Sequence, residues 1–312
     1  MTIAVFHHAD CLAHDPGAGH PESPARLSSV LSALKTCDFA DRLAFVEAPL
    51  GTRDQVLLAH TEAHLRDIEA NAPTRSRIAL DPDTIMSPGS LQAALRAVGA
   101  ACAAVDGIVA GKHTAAFCAT RPPGHHAPSN RAMGFCLFNQ IAVAARHAHA
   151  QHGFERVAIV DFDVHHGNGT EAIFARDSNV LYISTHQWPF YPGTGEASRS
   201  VTEHILNLPL EAGTDGTRYR RIFEHYVIPA LLAHGPEFIL VSAGFDAHRD
   251  DPLANLGLTA ADYRWIGEQI ATVAQNSCEG RVVSVLEGGY NLEALAESCV
   301  SYLSAFVGQS AV

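Results

Sequence analysis

The sequence predicts a single-domain α/β fold, with one mostly parallel central sheet and helices on both of its faces. Three observations carry that expectation. Short, β-rich apolar runs alternate with longer segments of helical period. The 312 residues are within reach of one domain with long loops. No linker-like, repeated or low-complexity stretch divides the chain, so residues 1–312 are read as one unit. In order, a strand at Ile3–Phe6 is followed by a helix at Pro24–Lys35, a helix at Gly89–Ala110 and a strand at Ala115–Ala119. A helix at Asn139–His152 leads into strands at Val157–Asp161 and Val180–Ser184. The remainder alternates: helix Thr217–Ala233, strand Phe238–Ser242, helix Ala260–Gln275, strand Val282–Leu286 and helix Leu292–Val307.

Composition narrows the function classes. Hydrophobic residues at 47% and charged residues at 17% describe a well-packed globular enzyme, and 24 Gly with 16 Pro imply many loops, where sites are usually carried. A formal net charge of -12 and the lack of any Lys/Arg run argue against nucleic acid as a partner. That charge would favour a cationic substrate, but it is also an ordinary solubility feature, which is the plainer account. The seven cysteines are scattered and form no CxxC pair, so they read as reduced thiols. The start, Met1-Thr-Ile-Ala-Val-Phe-His, lacks a basic n-region and a long apolar h-region, and no later stretch approaches 18 uninterrupted apolar residues. A cytoplasmic protein without a membrane partner is expected, and self-association as a homo-oligomer is left open.

In open α/β sheets ligands sit beyond the carboxyl ends of the strands, and the unusual polar residues of this chain fall there. Arg121-Pro-Pro-Gly-His-His follows one expected strand, Asp161-Phe-Asp-Val-His-His ends another, and Ser184-Thr-His, Gly244-Phe-Asp246 and Glu287-Gly-Gly-Tyr290 follow three more. Alternate residues of an extended segment share a face, so Asp163 and His165 can reach a common metal, with Asp246 as third ligand. Two carboxylates and one imidazole suit a catalytic Zn²⁺, because three protein ligands leave a position open. Any one of these residues alone is as well explained by a helix cap or a core imidazole. Together they are not.

The tandem His125-His126 supplies the proton chemistry that such a metal needs. One imidazole of the pair would act as base and later protonate a leaving amine. Asp161 and Asn168 are candidates for holding the other ring nitrogens. Tyr290, beside two glycines, can donate a hydrogen bond to a forming oxyanion, although a Gly-Gly-Tyr alone is more often a turn with a packed ring.

With these residues in place, the chain resembles the histone deacetylase and acetylpolyamine amidohydrolase superfamily over nearly its whole length. The motifs are Gly19-His-Pro-Glu-Ser-Pro-Ala-Arg26, Arg121-Pro-Pro-Gly-His-His-Ala127, Gly134-Phe-Cys-Leu-Phe-Asn139, Asp161-Phe-Asp-Val-His-His-Gly-Asn-Gly-Thr170, Ser184-Thr-His186, Ser242-Ala-Gly-Phe-Asp246 and Glu287-Gly-Gly-Tyr-Asn291. The resemblance implies an arginase/deacetylase-like fold and one Zn²⁺ per chain bound by Asp163, His165 and Asp246. It implies His126 as general base, His125 as its electrostatic or acid partner, and Tyr290 as the group that polarises the scissile carbonyl. Asp161 would hold His125. Asn168 stands where some branches carry Asp, and this form, with His-Pro-Glu and Phe-Asp-Ala-His, looks class II-like. A structural K⁺ would engage Asp161, Asp163, His165, Ser184 and Thr185. Phe135 and Tyr191 match an aromatic pair flanking an acyl-lysine stem, Asp83 falls near a rim position that orients a substrate amide, and Arg26 falls where the family lines an internal acetate-release channel.

One departure bears on substrate. Leu253 stands where a polyamine-selective branch carries an acidic gatekeeper for a second ammonium, which leans the reading toward acyl-lysine or a neutral amide rather than an acetylpolyamine. An arginase-like ureohydrolase would need a second Asp-x-Asp, and Asp246-Ala-His248 offers one carboxylate. A non-catalytic acyl-amine binding protein on the same scaffold would have no need of His126 and Tyr290. The expected function is therefore a zinc-dependent deacetylase or amidohydrolase acting on a linear amide, with a small-molecule or peptide acyl-amine as partner.

Overall fold

The computed structural model describes residues 2–197 and 204–308. Among the described residues, ten strands run β1 (Ile3–His7), β2 (Leu43–Glu47), β3 (Ile78–Ala79), β4 (Ile85–Met86), β5 (Ala115–Cys118), β6 (Val157–Asp161), β7 (Val180–Gln187), β8 (Ile205–Leu210), β9 (Phe238–Ala243) and β10 (Val282–Leu286). Eight of them form one sheet in the order β2-β1-β5-β10-β9-β6-β7-β8, and β3 pairs with β4 in a small hairpin. Every pairing in the large sheet is parallel.

The central strands are apolar throughout because both of their faces are covered, as parallel sheets require. Alternation then sends successive side chains to opposite cores. Ala158, Val160, Ile239 and Val241 pack on one side, with Leu27, Val30, Tyr219, Phe223, Ile266, Leu295 and Tyr302 from the helical segments at Pro24–Thr36, Gly216–Ile222, Phe223–Val227, Ala260–Ser277 and Leu292–Ser304. Val157, Ile159, Leu240 and Val283 pack on the other, against Val98, Ala101, Ile141 and Ala144 from the helices at Ser90–Val109 and Gln140–His152. Ser90–Val109 is long and apolar enough to cross a membrane by composition. Here its apolar face is core.

The sheet has two strands that periodicity did not signal, β2 and β8, and both lie at its edges. The expected helix at Thr217–Ala233 is an α-helix at Gly216–Ile222, a π-helical turn at Phe223–Val227 and an α-helix at Ile228–His234. Pro229 cannot donate the backbone hydrogen bond that a continuous α-helix would need there, and the turn widens where that bond is missing.

The strand order has a direct consequence for function. β5, β10, β9 and β6 are consecutive neighbours, so the loops that follow them leave the same rim of the sheet side by side. The first of these loops is anchored from beneath by His60, whose Nε2 accepts from the Asn139 N–H at 2.8 Å, while the Asn139 side chain caps the following helix by accepting from Ala142 N–H at 3.0 Å. Burial, reinforced by His64, drives the His60 pKa from 6.5 down to about 3. The folded protein therefore holds His60 neutral, whereas the unfolded chain takes up a proton once the pH falls below about 6.5. The stability tied to this group is complete above that pH and is lost progressively down to about pH 3. Urea unfolding at a series of pH values should show wild type losing roughly 1.4 kcal/mol per pH unit relative to His60→Gln below about pH 6.5. A stability gap between the two proteins that does not change with pH would contradict this.

Candidate active site

The tandem histidines follow β5 on a segment tied down by a buried carboxylate. Glu287, at the end of β10, accepts from the backbone N–H of Gly124 at 2.7 Å and of His125 at 3.2 Å. His125 Nδ1–H donates to Asp161 Oδ2 at 3.0 Å, and its Nε2 lies 3.8 Å from Asp163 Oδ1. Burial alone would lower the pKa of His125, but Asp161, Asp163 and Glu287 outweigh it and hold the imidazole well above its usual value. Asp161 is itself fixed by the Tyr182 hydroxyl, which donates to Oδ2 at 2.9 Å.

His126 has the opposite character. Burial, then the neighbouring His125 and His165, hold it well below its ordinary pKa. Its Nδ1 lies 2.9 Å from Asn168 Oδ1. An amide oxygen can only accept, so Nδ1 carries the hydrogen and the lone pair is left on Nε2. Two adjacent imidazoles, with ring centroids 4.0 Å apart, are thus held one charged and one neutral. That is the difference an acid–base pair needs.

Asp163 and His165 come together, though by a different backbone route than alternation along an extended strand. β6 ends at Asp161, and residues 162–167 form a bent loop. His165 Nδ1 sits 3.1 Å from Asp163 Oδ1 and 3.1 Å from Asp246 Oδ2, and the three ligand atoms lie within 4.8 Å of one another. The other carboxylate oxygens are held by backbone donors: Asp246 Oδ1 accepts from Val164 N–H at 2.9 Å and Asp163 Oδ2 from Gly288 N–H at 2.8 Å. Burial lowers and the two carboxylates raise the His165 pKa, with the net effect of pushing it up to about 10, while burial and Asp163 push Asp246 up to about 7. Without a metal, the cluster therefore favours a proton at its centre. It occupies the place a divalent cation would take, so metal binding would release it. His166, the neighbour of His165, turns away to Thr194 Oγ1 and Glu171 Oε2, each at 2.8 Å.

His126, His165 and Tyr290 line a single cavity together with Pro21, Asp83, Gly134, Phe135, Tyr191 and Leu253. The Tyr191 ring stands edge-on to His126, with centroids 5.2 Å apart, and Phe135 meets the Tyr290 ring at 6.1 Å. Burial, then Asp246, raises the Tyr290 pKa well above 10, so its hydroxyl stays a donor. Ser184 lies opposite Asp161 in the β6–β7 register, and Thr185 Oγ1 shares a hydrogen bond with the Tyr219 hydroxyl at 2.7 Å.

Arg26 does not line this cavity. It is buried behind it, where its guanidinium donates to the Gly289 carbonyl at 2.6 Å and to the Glu287 carbonyl, and lies 4.9 Å from the Tyr290 ring centroid. Its counter-charge is Glu22, at 3.1 Å, which also takes Arg121 and lies 3.2 Å from His14 Nε2. Glu22, Glu287 and Tyr182 are site residues to which sequence reasoning gives no role. Glu22 and Glu287 fell inside motifs that had been noted; Tyr182 sits in an apolar strand with nothing to mark it.

A parallel α/β sheet that carries paired imidazoles beside a carboxylate–imidazole–carboxylate cluster, at the base of an aromatic-walled cavity, has the architecture of a hydrolase. Residues 20–306 match the family model described as histone deacetylase domain, and the chain belongs to that family. It is 38% identical over 287 residues to the histone deacetylase-like amidohydrolase of Pseudomonas aeruginosa, covering 90% of this chain and 75% of the relative. It is 36% identical over 315 residues to a probable deacetylase of Archaeoglobus fulgidus, covering 99% and 87%. The crystal structure of the HDA15 HD domain superposes with a TM-score of 0.93 at 35% identity, covering all of this chain and 89% of that one.

Gly288 tests the convergence of the two carboxylates. A Cβ at this position would lie 2.0 Å from Asp246 Oδ2 and 2.6 Å from Asp163 Oδ2, so a methyl group must drive them apart. Gly288→Ala should weaken Zn²⁺ binding by at least ~10-fold in competition with a calibrated chelator, with the circular dichroism spectrum retained. Wild-type affinity in this variant would contradict the arrangement.

Proposed function

We propose that the protein is a zinc-dependent amidohydrolase that removes an acetyl or other short acyl group from an amine, with acyl-lysine as the preferred substrate class. The observation that carries this reading is the joint placement of the Asp163–His165–Asp246 cluster, the unlike histidine pair and Tyr290 around one cavity. The donor set fits zinc, since two carboxylate oxygens and one imidazole nitrogen match its catalytic ligands and leave a position open. When bound there, zinc would supply Lewis acidity and lower the pKa of water to about 7.

The chain's own residues account for the rest. His126, neutral and with Nε2 free, is suited to take a proton from the attacking water. His125, charged and locked between Asp161 and Asp163, steadies negative charge that develops nearby, and the leaving amine can recover its proton from this pair. Tyr290 donates to the scissile carbonyl oxygen as it becomes an oxyanion. Arg26 holds the backbone on which Tyr290 is mounted. The balanced outcome is addition of water across the amide to give a carboxylate and an amine.

Substrate class follows from the walls. Phe135, Tyr191 and Leu253 offer apolar sides to an aliphatic stem, Asp83 at the mouth can accept from a substrate amide N–H, and no acid stands at position 253 to receive a second ammonium. A binuclear ureohydrolase is disfavoured, because the cluster has one imidazole and two carboxylates and Asp246-Ala-His248 adds no second carboxylate to bridge a pair of ions. A structural K⁺ held by Asp161, Asp163, His165, Ser184 and Thr185, partly through main-chain carbonyls, is supported by the pairing that puts Asp161 and Ser184 at one level. A cytoplasmic setting is supported by seven free cysteines, six of them buried.

A panel of acetyl-lysine peptides, longer acyl-lysines and acetylpolyamines, assayed with and without exhaustive metal removal, tests this directly. At least one acyl-lysine should be cleaved, and cleavage should cease without metal and return with Zn²⁺. Tyr290→Phe and His126→Ala should each lower kcat by about 10² or more while leaving the thermal unfolding transition in place. Metal-independent cleavage, or near wild-type rates in both variants, would reject the assignment.

A further inference from the structure

A second convergence of metal-ligating groups lies at the opposite end of the sheet. Asp106 belongs to the last turn of the helix Ser90–Val109; His147 and His152 belong to Gln140–His152, with His152 its final residue. Both helices lead into strands, at Ala115 and Val157, so this cluster sits at the amino ends of β5 and β6, away from the rim that carries the active site. His147 Nε2 and His152 Nε2 both point at the same oxygen, Asp106 Oδ1, at 2.8 and 2.7 Å. The three ligand atoms lie within 4.8 Å of one another. The His147 side chain is buried, that of His152 is 21% exposed and that of Asp106 52% exposed, so the open side of the cluster faces water.

We propose that Asp106, His147 and His152 form a second binding site for a first-row divalent transition metal of the Zn²⁺ class, clasping two helices together. An ion pair between one carboxylate and two imidazoles has two oxygens to share, yet both nitrogens converge here on one. Around a tetrahedral ion at ~2.0–2.1 Å, ligand atoms stand about 3.3 Å apart, so each nitrogen–oxygen distance need open by only about half an ångström. His152, at a helix terminus and partly exposed, has the freedom to do so. Two imidazoles and one carboxylate select Zn²⁺, Co²⁺ or Ni²⁺ over Ca²⁺ and Mg²⁺, which take oxygen donors. The setting is also favourable for a cation, because both helices direct their carboxyl-terminal ends, the negative poles of their dipoles, at this spot.

The site is independent of the hydrolase reading and predicts a different property. Metal bound there links the helices that flank the first catalytic loop, and should stabilise the fold rather than take part in turnover. The experiment is Zn²⁺ titration of the full-length protein, with bound metal counted after equilibrium dialysis and the melting temperature followed in parallel. Wild type should bind two equivalents, and Tm should rise with free Zn²⁺. His152→Ala and the near-isosteric Asp106→Asn should each bind one, with affinity for the other reduced at least ~10-fold and the second rise in Tm abolished. Asp246→Asn should lose the catalytic equivalent and keep this one. A single equivalent in wild type that is lost only in Asp246→Asn would overturn the proposal and show an ion pair alone. Two equivalents retained in both His152→Ala and Asp106→Asn would overturn it equally.

Discussion

Negative charge in the protein interior is the constraint around which this molecule is organised. Asp161, Asp163, Asp246 and Glu287 are all essentially without solvent exposure, and they lie around a few imidazoles rather than around arginine or lysine. Carboxylates buried this way must be neutralised, paired or coordinated. Burial pushes Glu287 up to about 7 and Asp246 up to about 7, which marks them as groups that ionise at neutral pH only with compensation. The proton on His125 supplies part of it; a divalent cation between Asp163, His165 and Asp246 would supply the rest, in place of the proton that His165 otherwise takes. The same excess of charge favours the cationic form of His125, whereas burial, and then the neighbouring His125 and His165, favour the neutral form of His126. The two roles are thus consequences of position, not of any intrinsic difference between the histidines.

The sheet order brings these groups into one place. The chain lays down β5 and β6 apart and later fills the gap with β9 and β10, so loops distant in sequence become neighbours at one rim. Close approach then demands small residues: Gly134, whose missing Cβ would lie 2.6 Å from the His126 ring, leaves room for that imidazole. Behind the rim, Glu22 pairs with both Arg26 and Arg121. This ties the Pro-Pro-Gly-His-His and Glu-Gly-Gly-Tyr segments to the helix Pro24–Thr36, so the loops at this rim rest on a buried ionic scaffold.

Much of this was legible in the sequence, and what was not has physical reasons. The central strands could be read because burial on both faces leaves continuous apolar runs, as in Val157–Asp161 and Phe238–Ala243. The edge strands β2 and β8 could not, because Leu43–Glu47 keeps mixed exposure along its length and Ile205–Leu210 carries a proline and an asparagine. The convergence of Asp163, His165 and Asp246 could be read from their strand-end positions, although the loop that presents the first two bends instead of extending. Arg26 was placed by motif in a channel, but its hydrogen bonds to Gly289 and Glu287 and its stacking on Tyr290 emerge only from the folded geometry. Asp106, His147 and His152 carry no motif at all. Two helices separated by a strand and a long loop bring them together, and nothing local announces it.

The central claim is that Asp163, His165 and Asp246 share one cation at the base of the cavity. Anomalous diffraction at the zinc absorption edge, from crystals saturated with Zn²⁺, tests it most directly. The account predicts a strong peak ~2.0–2.2 Å from a carboxylate oxygen of Asp163, from His165 Nδ1 and from a carboxylate oxygen of Asp246. Saturated crystals with no peak there, or with the three side chains directed away from a common point, would contradict it.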